Sequence, residues 1–140
     1  MCTSIRPQIS ANNKYWIDKH RYYELKHFCL QYHSWKQTYA ALEEIDISSP
    51  PLDRIGSKST EHGDPTSKLA LAKSYYSERI KMVETAAKEA DESLAEYILR
   101  AVTEELSYTY LKSRLEIPCG KDMYYDRYRR FFWLLSKARN

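Results

Sequence analysis

Apolar residues recur every three or four positions along most of this chain, which is the spacing of one face of an α-helix. In residues 15–32 the repeat consists of Tyr15, Tyr22, Leu25, Cys29 and Tyr32, with Phe28 beside it. Residues 35–45 restart the pattern with Trp35, Tyr39 and Leu42, and Ser34 and Gln37 have the spacing of a capping box. The sequence therefore predicts an N-terminal helical segment, residues 1–45, that begins with a polar tail of 13 residues.

Residues 46–64 are rich in Ser, Pro, Gly and Asp, and this composition predicts a loop or linker. Asp64 is a good N-cap and Pro65 suits a first helical position, so a long helix is predicted over residues 65–90. Its apolar stripe is Leu69, Ala72, Tyr76, Ile80, Val83 and Ala87. Leu69, Tyr76, Val83 and Ala90 also repeat every seven residues, which allows a homodimer through the 65–90 helix.

Three further helices are predicted between residue 91 and the C-terminus. Asp91 caps a helix with the stripe Leu94, Tyr97, Ile98, Ala101 and Val102. Ser107 caps a short helix, the sequence EIPCG forms a turn, and the last helix covers residues 121–137. The inward-facing stripe of that last helix is Tyr124, Tyr128, Phe131 and Leu135, with Phe132 beside it. In that turn Pro118 stops the short helix and Gly120 can supply a positive φ. The predicted class is all-α, a helical bundle with a long central helix and a C-terminal helix-turn-helix in a domain of residues 65–140.

Positive charge is concentrated in the same C-terminal segment. The chain carries a net charge of +3, whereas residues 107–140 contain eight Lys and Arg against three Asp and Glu. In a helix-turn-helix the first turns of the second helix meet base edges, so we expect base contacts from Lys121, Asp122, Tyr125 and Arg129. Cations around them neutralise phosphates, so we expect phosphate contacts from Lys112, Arg114, Arg127 and Arg130.

The C-terminal sequence also resembles the helix-turn-helix of a known family. The shared features are a Ser-Tyr start at Ser107, inward-facing Leu111 and Leu115 followed by Ile117, and the pair Tyr124-Tyr125 opening a basic helix. These features are similar to phage-encoded regulators of the RinA and ArpU type, which in turn resemble the promoter-binding domain of sigma factors. The resemblance covers about the last 45 residues. It implies a phage or prophage transcription regulator that binds duplex DNA and works with RNA polymerase in the bacterial cytoplasm.

Other kinds of site have weaker support in the sequence. Cys29 and His33 have the i, i+4 spacing that zinc can bridge, but no second pair of ligands accompanies them. Cys119 lies beside the predicted N-terminus of the last helix, where a thiolate would be stabilised, but no base or resolving thiol is evident. We therefore expect no metal, no cofactor and no enzymatic activity.

Composition leaves one alternative function open. No apolar run reaches the roughly 18 residues that a membrane span needs, and three cysteines without regular spacing fit a reducing cytoplasm. An aromatic and basic C-terminal helix also suits a surface that binds another protein. Two hypotheses therefore stand, a DNA-binding regulator and a non-enzymatic helical adaptor or packaging-type protein.

Overall fold

A computed structural model of the protein describes residues 13–48 and 65–140. The elements are α1 (Lys19–Leu30), α2 (Tyr32–Ser48), α3 (Pro65–Ala90), a 3-10 turn (Glu92–Leu94), α4 (Ala95–Glu104), α5 (Tyr108–Ser113) and α6 (Lys121–Ala138). No strand occurs in the two described ranges, so the predicted all-α class is confirmed. The long helix α3 is central, because it contacts α2, α4 and α6.

The boundary between the two N-terminal helices lies earlier than the sequence pattern indicates. α1 begins after Asp18, whose carboxylate accepts a hydrogen bond from the backbone N–H of His20. Gln31 alone separates α1 from α2, and its carbonyl accepts from the Trp35 N–H at 3.0 Å. Ser34 therefore lies inside α2, and the capping box predicted there is wrong.

The predicted linker begins later than expected. α2 continues to Ser48, so residues 46–48 are helical rather than part of a loop. Residues 49–64, which contain the rest of the predicted linker and the proposed cap Asp64, lie outside the described residues, as does most of the predicted tail, residues 1–12.

The long helix α3 has the predicted bounds, Pro65–Ala90. Its C-terminal half is buried at Val83, Ala86, Ala87 and Ala90, where other helices of the same chain cover it. Val83 and Ala90 belong to the predicted dimer seam. Those two positions are therefore occupied by packing within the chain.

The outer parts of α2 and α3 form a pair of helices with no buried side chain among those the structure describes. This region, called the arm below, comprises residues 36–48 and 65–82. Near the outer end of α2, a carboxylate oxygen of Asp46 lies 3.2 Å from Lys73 Nζ of α3. At its root the Tyr32 hydroxyl donates a hydrogen bond to Glu84. Because the two contacts occur in opposite order along the chain, the two helices are antiparallel.

The remaining described residues, called the body, enclose an aromatic core between α1 and α6. The rings of Tyr22 and Phe132, both fully buried, meet edge to face with centroids 5.1 Å apart. The hydroxyls of Tyr22 and Tyr128 share a hydrogen bond of 2.8 Å, so these buried polar groups are satisfied. The predicted core positions are buried at Tyr15, Tyr22, Leu25, Phe28, Cys29, Tyr32, Leu94, Ile98, Ala101 and Val102.

α1 also binds the C-terminal end of α6. The Arg21 side chain donates to Ser136 Oγ at 3.0 Å, to the Ser136 carbonyl at 2.8 Å and to the Arg139 carbonyl at 3.0 Å. The last carbonyls of a helix lack partners within the helix. Arg21 supplies donors for two carbonyls at this end of the chain.

α4 ends at a left-handed residue that is not a glycine. Glu105 has φ 57 and ψ 46, and the N–H groups of Glu105 and Leu106 both point to the Ala101 carbonyl. Leu106 then packs against the core, which is typical of a Schellman-type helix end. Ser107 follows as the N-cap of α5 and accepts from the Tyr110 N–H, as predicted.

Candidate nucleic-acid interface

The candidate interface is built from α5, the connection 114–120 and the first turns of α6. Leu111 on α5 and Ile117 in the connection are both buried, and the Ile117 N–H donates to the Leu111 carbonyl at 3.0 Å. Leu115 is half-buried against the same core. The inward-facing positions predicted for this segment are thus confirmed. The connection has seven residues, whereas a helix-turn-helix turn commonly has three or four.

Two details of the predicted turn are wrong. α5 ends at Ser113, well before Pro118, so the proline does not stop this helix. Gly120 has φ −79 and ψ 174, an extended conformation, and serves as the N-cap of α6. The positive φ of the connection falls instead on Glu116, at 55°. The sequence offered no signal for this, because glutamate rarely adopts that conformation.

α6 is held by the aromatic stripe that the sequence predicted. Tyr124, Tyr128, Phe131, Phe132 and Leu135 are all buried. Tyr108 links α5 to this helix. Its hydroxyl donates to the Cys119 carbonyl at 2.8 Å, and the centroid of its ring lies 5.5 Å from the ring centroid of Tyr124. The rings therefore fix α6 from one side and leave its first turn at the surface, where Lys121, Asp122 and Met123 are exposed.

Four of the predicted cations have no ion pair with any described residue. They are Lys112, Arg114, Lys121 and Arg129. The first three are exposed, and Arg129 is half-buried on the side of α6. Lys112 lies close enough to Cys119 to affect the pKa of its thiol. The three exposed cations thus lie on α5, in the connection and in the first turn of α6, one on each part of the candidate interface.

Arg127, also predicted to bind phosphate, is already paired within the chain. Its Nε donates to Asp91 Oδ2 at 2.8 Å, and it also contacts the carboxylate of Asp126. The hydrogen bond with Asp91 is the main reason that the pKa of Arg127 is raised. Arg127 could contact phosphate only by exchanging these partners.

Asp91 is a positioning residue that the sequence identified only as a helix cap. Its Oδ1 accepts from the Ser93 and Leu94 N–H groups, while Oδ2 accepts from Arg127 of α6. Burial alone would raise the pKa of Asp91, but the hydrogen bonds from Ser93, Arg127 and the backbone outweigh it, and the pKa is lowered. Asp91 thereby ties the start of α4 to the first half of α6. A carboxylate at capping spacing gave no sign of a partner 36 residues away.

Arg130 and Tyr125 are also partly engaged. Arg130 donates to the Glu89 carbonyl and to the Tyr15 hydroxyl, both at 3.2 Å. Tyr125 is half-buried with its ring 5.1 Å from that of Tyr124. Of the residues predicted to meet base edges, Lys121 and Asp122 are the most exposed and share the first turn of α6.

The cysteines and histidines of the described residues lie apart from one another or lack the surroundings that activate a thiol. Burial raises the pKa of the Cys119 thiol in spite of the nearby Lys112, so the predicted stabilisation of a thiolate is wrong. Burial also raises the pKa of Cys29. His33 is exposed and its Nε2 lies 3.9 Å from Glu104. No group of three or more possible metal ligands is present in residues 13–48 and 65–140.

No protein-family model, curated protein or solved structure matches the chain. None of the described helices has the length and apolar character that crossing a membrane would require.

Proposed function

We propose that the protein binds duplex DNA through α5, the 114–120 connection and the first turn of α6. In this proposal it acts as a phage or prophage transcription regulator in the cytoplasm and carries out no catalysis. The supporting observation is that the stripe of α6 is buried while Lys112, Arg114 and Lys121 are exposed without an ion pair to a described residue. Such cations are available to neutralise phosphates at little cost to folding.

Base reading is assigned to the first turn of α6. In a helix-turn-helix the N-terminal residues of the second helix contact base edges in the major groove. Lys121 can donate to the guanine edge, and Asp122 can accept from the amino group of cytosine. Arg129, two turns further along, is assigned to a contact with a base edge or close to one. The resemblance to sigma-like regulators adds RNA polymerase as the protein partner.

The salt dependence of duplex binding tests this proposal. If Lys112, Arg114 and Lys121 each neutralise one phosphate, the log–log slope against salt should be about −3 or steeper. Replacing all three with Ala should reduce the magnitude of that slope by about 3. The matched control replaces the exposed α3 lysines Lys81 and Lys88 with Ala, and we expect its slope to equal that of the wild type. Absence of duplex binding at low salt, or equal slopes for the two variants, would contradict the proposal.

The second candidate function is a helical adaptor, and one observation favours it. Tyr110 and Met123 are 41% and 42% exposed beside the proposed DNA contacts. Exposed apolar side chains at the centre of a patch are more typical of contacts with proteins than with phosphates. A partner protein that binds with little dependence on salt, and is lost on Tyr110→Ala plus Met123→Ala, would favour the adaptor.

A further inference from the structure

Two aromatic rings and three cations form a cluster beside the C-terminal half of α6. The ring centroids of Tyr15 and Trp133 lie 5.4 Å apart. Lys14 Nζ lies 5.0 Å from the Tyr15 centroid, and Lys137 Nζ lies 3.9 Å from the Trp133 centroid. Arg130 reaches the same place, because it donates to the Tyr15 hydroxyl at 3.2 Å. These five residues are called the ring cluster below.

The positive charge of the ring cluster is not neutralised by any acid that the structure describes. None of its three cations forms an ion pair with a described residue. An aromatic ring attracts a cation but has no net charge, so Lys14 and Lys137 keep theirs. Both lysines are exposed, whereas Arg130 is half-buried and also donates to the Glu89 carbonyl. An anion at the surface can therefore reach the two lysines directly.

The ring cluster lies on the same face of α6 as the proposed base contacts. Five residues that are not buried follow one another at the spacing of one helical face: Asp122, Asp126, Arg129, Trp133 and Lys137. This face lies opposite the buried aromatic stripe. Its two acids lie in the first two turns, and its two cations follow towards the C-terminus. Carboxylates repel phosphates but accept from base amino groups, so this order suits bases at the first turns and phosphates at the last.

The length of α6 allows both kinds of contact on one duplex. Lys121 and Lys137 lie about 24 Å apart along the helix axis, at a rise of about 1.5 Å per residue. The major groove of duplex DNA is about 12 Å wide. When the first turn of α6 lies at the base edges, the last turns extend to the phosphates that border the groove.

We propose that the duplex contact continues along α6 to the ring cluster, where Lys14 and Lys137 bind phosphates of the DNA backbone. This second contact rests on the proposed function and adds a phosphate-binding surface about 24 Å from the first turn of α6. The rings of Tyr15 and Trp133 hold the two ammonium groups in place, which reduces the side-chain entropy that binding costs. Lys14 lies outside residues 65–140, so the N-terminal part of the chain completes the surface.

The salt dependence of duplex binding by the full chain, measured by fluorescence anisotropy, tests the second contact. Each phosphate that a cation neutralises adds about −0.9 to the log–log slope. Lys14→Ala plus Lys137→Ala should therefore reduce the magnitude of the slope by about 2. Together with the three cations of the first surface, the wild type should have a slope of about −4.5 or steeper. An unchanged slope in the double variant overturns the proposal.

Two control variants separate the ring cluster from charge in general. Lys14→Arg plus Lys137→Arg keeps both charges, so its slope should equal that of the wild type. Lys36→Ala plus Lys68→Ala removes two exposed cations of the arm and should also leave the slope unchanged. A reduction as large in the arm variant would mean that total charge alone determines binding, which contradicts the second contact. The urea midpoint of Lys14→Ala plus Lys137→Ala should stay close to that of the wild type, because both side chains are exposed.

Photo-crosslinking tests whether the ring cluster lies against the duplex. Lys137→Cys, in a Cys2→Ser and Cys119→Ser background, allows a benzophenone group to be attached near the end of α6. Cys29 is fully buried and should stay unlabelled. At low salt the probe should crosslink to duplex DNA, whereas the same probe at Lys68→Cys on the arm should not. No crosslink at position 137, or equal yields at the two positions, would count against the contact.

The second contact and the proposed function can fail separately. A wild type that binds duplex DNA, and whose slope falls only when Lys112, Arg114 and Lys121 are replaced, would retain the function and exclude the ring cluster. A wild type that does not bind duplex DNA would exclude both. If that wild type instead binds a polyglutamate peptide, and Lys14→Ala plus Lys137→Ala abolishes the binding, the ring cluster belongs to a contact with an acidic protein.

Discussion

The body and the arm are built from helices with the same apolar periodicity, yet only the body buries its stripes. In α6 every residue of the predicted stripe is buried, whereas in the arm Leu69, Ala72, Tyr76, Tyr39 and Leu42 are only half-buried. The body encloses its stripes between several helices, α1, α3, α4 and α6, while the arm has two helices alone. A periodic stripe therefore predicts which face of a helix is covered, but the number of neighbouring helices decides how completely.

Truncating one apolar side chain in each region should produce very different losses in the free energy of unfolding. Phe132 is fully buried between α1 and α6, so Phe132→Ala should lower the free energy of unfolding by about 3–5 kcal/mol. Leu71→Ala in the arm should change it by less than about 0.5 kcal/mol when measured at concentrations where the chain is monomeric. Urea denaturation followed by circular dichroism measures both. Equal losses would mean that the arm has a core comparable with that of the body.

The contact between Asp91 and Arg127, which links α4 to α6, should contribute less to the free energy of unfolding than Phe132 and more than Leu71. Its contribution should depend on pH. Asp91→Ala removes a helix cap and the partner of Arg127, so we expect a loss of about 2 kcal/mol at neutral pH. Asp91→Asn retains capping ability but loses the charge, and it should cost about half as much.

The direction of the pH effect follows from the lowered pKa of Asp91. The stabilisation is complete above the ordinary aspartate pKa of about 4 and is lost as the pH falls through the lower value in the folded state. Urea midpoints measured between neutral pH and about pH 2 should therefore fall less steeply for Asp91→Asn than for the wild type. Parallel curves for the two proteins would show that Asp91 does not titrate with unfolding.

A small increase in the free energy of unfolding, rather than a loss, is expected from a substitution at the end of α4. Glu105 has φ 57, a conformation that costs a residue with a side chain about 1 kcal/mol and glycine almost nothing. Glu105→Gly should therefore raise the stability of the body by about 0.5–1 kcal/mol. The same change within the helix, Glu96→Gly, should lower it by up to about 1 kcal/mol. Thermal unfolding of the two variants provides the comparison, and a loss at Glu105 would contradict this account of the helix end.

The sequence predicted those features of the fold that depend on local chemistry. The bounds of α3, the caps at Asp91 and Ser107, and the buried stripe of α6 follow from capping preferences and from a period of 3.6 residues. The start of α2 and the left-handed residues Glu105 and Glu116 could not be predicted in this way. These three features depend on contacts made after the chain has folded, and such contacts override the weak conformational preferences of single residues.

The same distinction between local pattern and long-range contact applies to the candidate site. Exposure of Lys112, Arg114 and Lys121 could be anticipated, because these residues lie opposite the apolar stripe or in the turn. The engagement of Arg127 by Asp91 and of Arg130 by Tyr15 could not, since each pair joins residues distant in the sequence. Positive charge near a predicted turn therefore overstates the number of cations that are available to a ligand.

The hydrogen bonds from Arg21 to the end of α6 have a consequence for the opposite end of that helix. Because an α-helix of 18 residues turns largely as one unit, a restraint near its C-terminus also affects the direction of its first turn. Besides the buried rings, Arg127 restrains the first half of α6 through Asp91, and Arg21 restrains its C-terminal end. The first helix of the protein thus helps to aim Lys121, a side chain on the far side of the molecule with which Arg21 makes no contact.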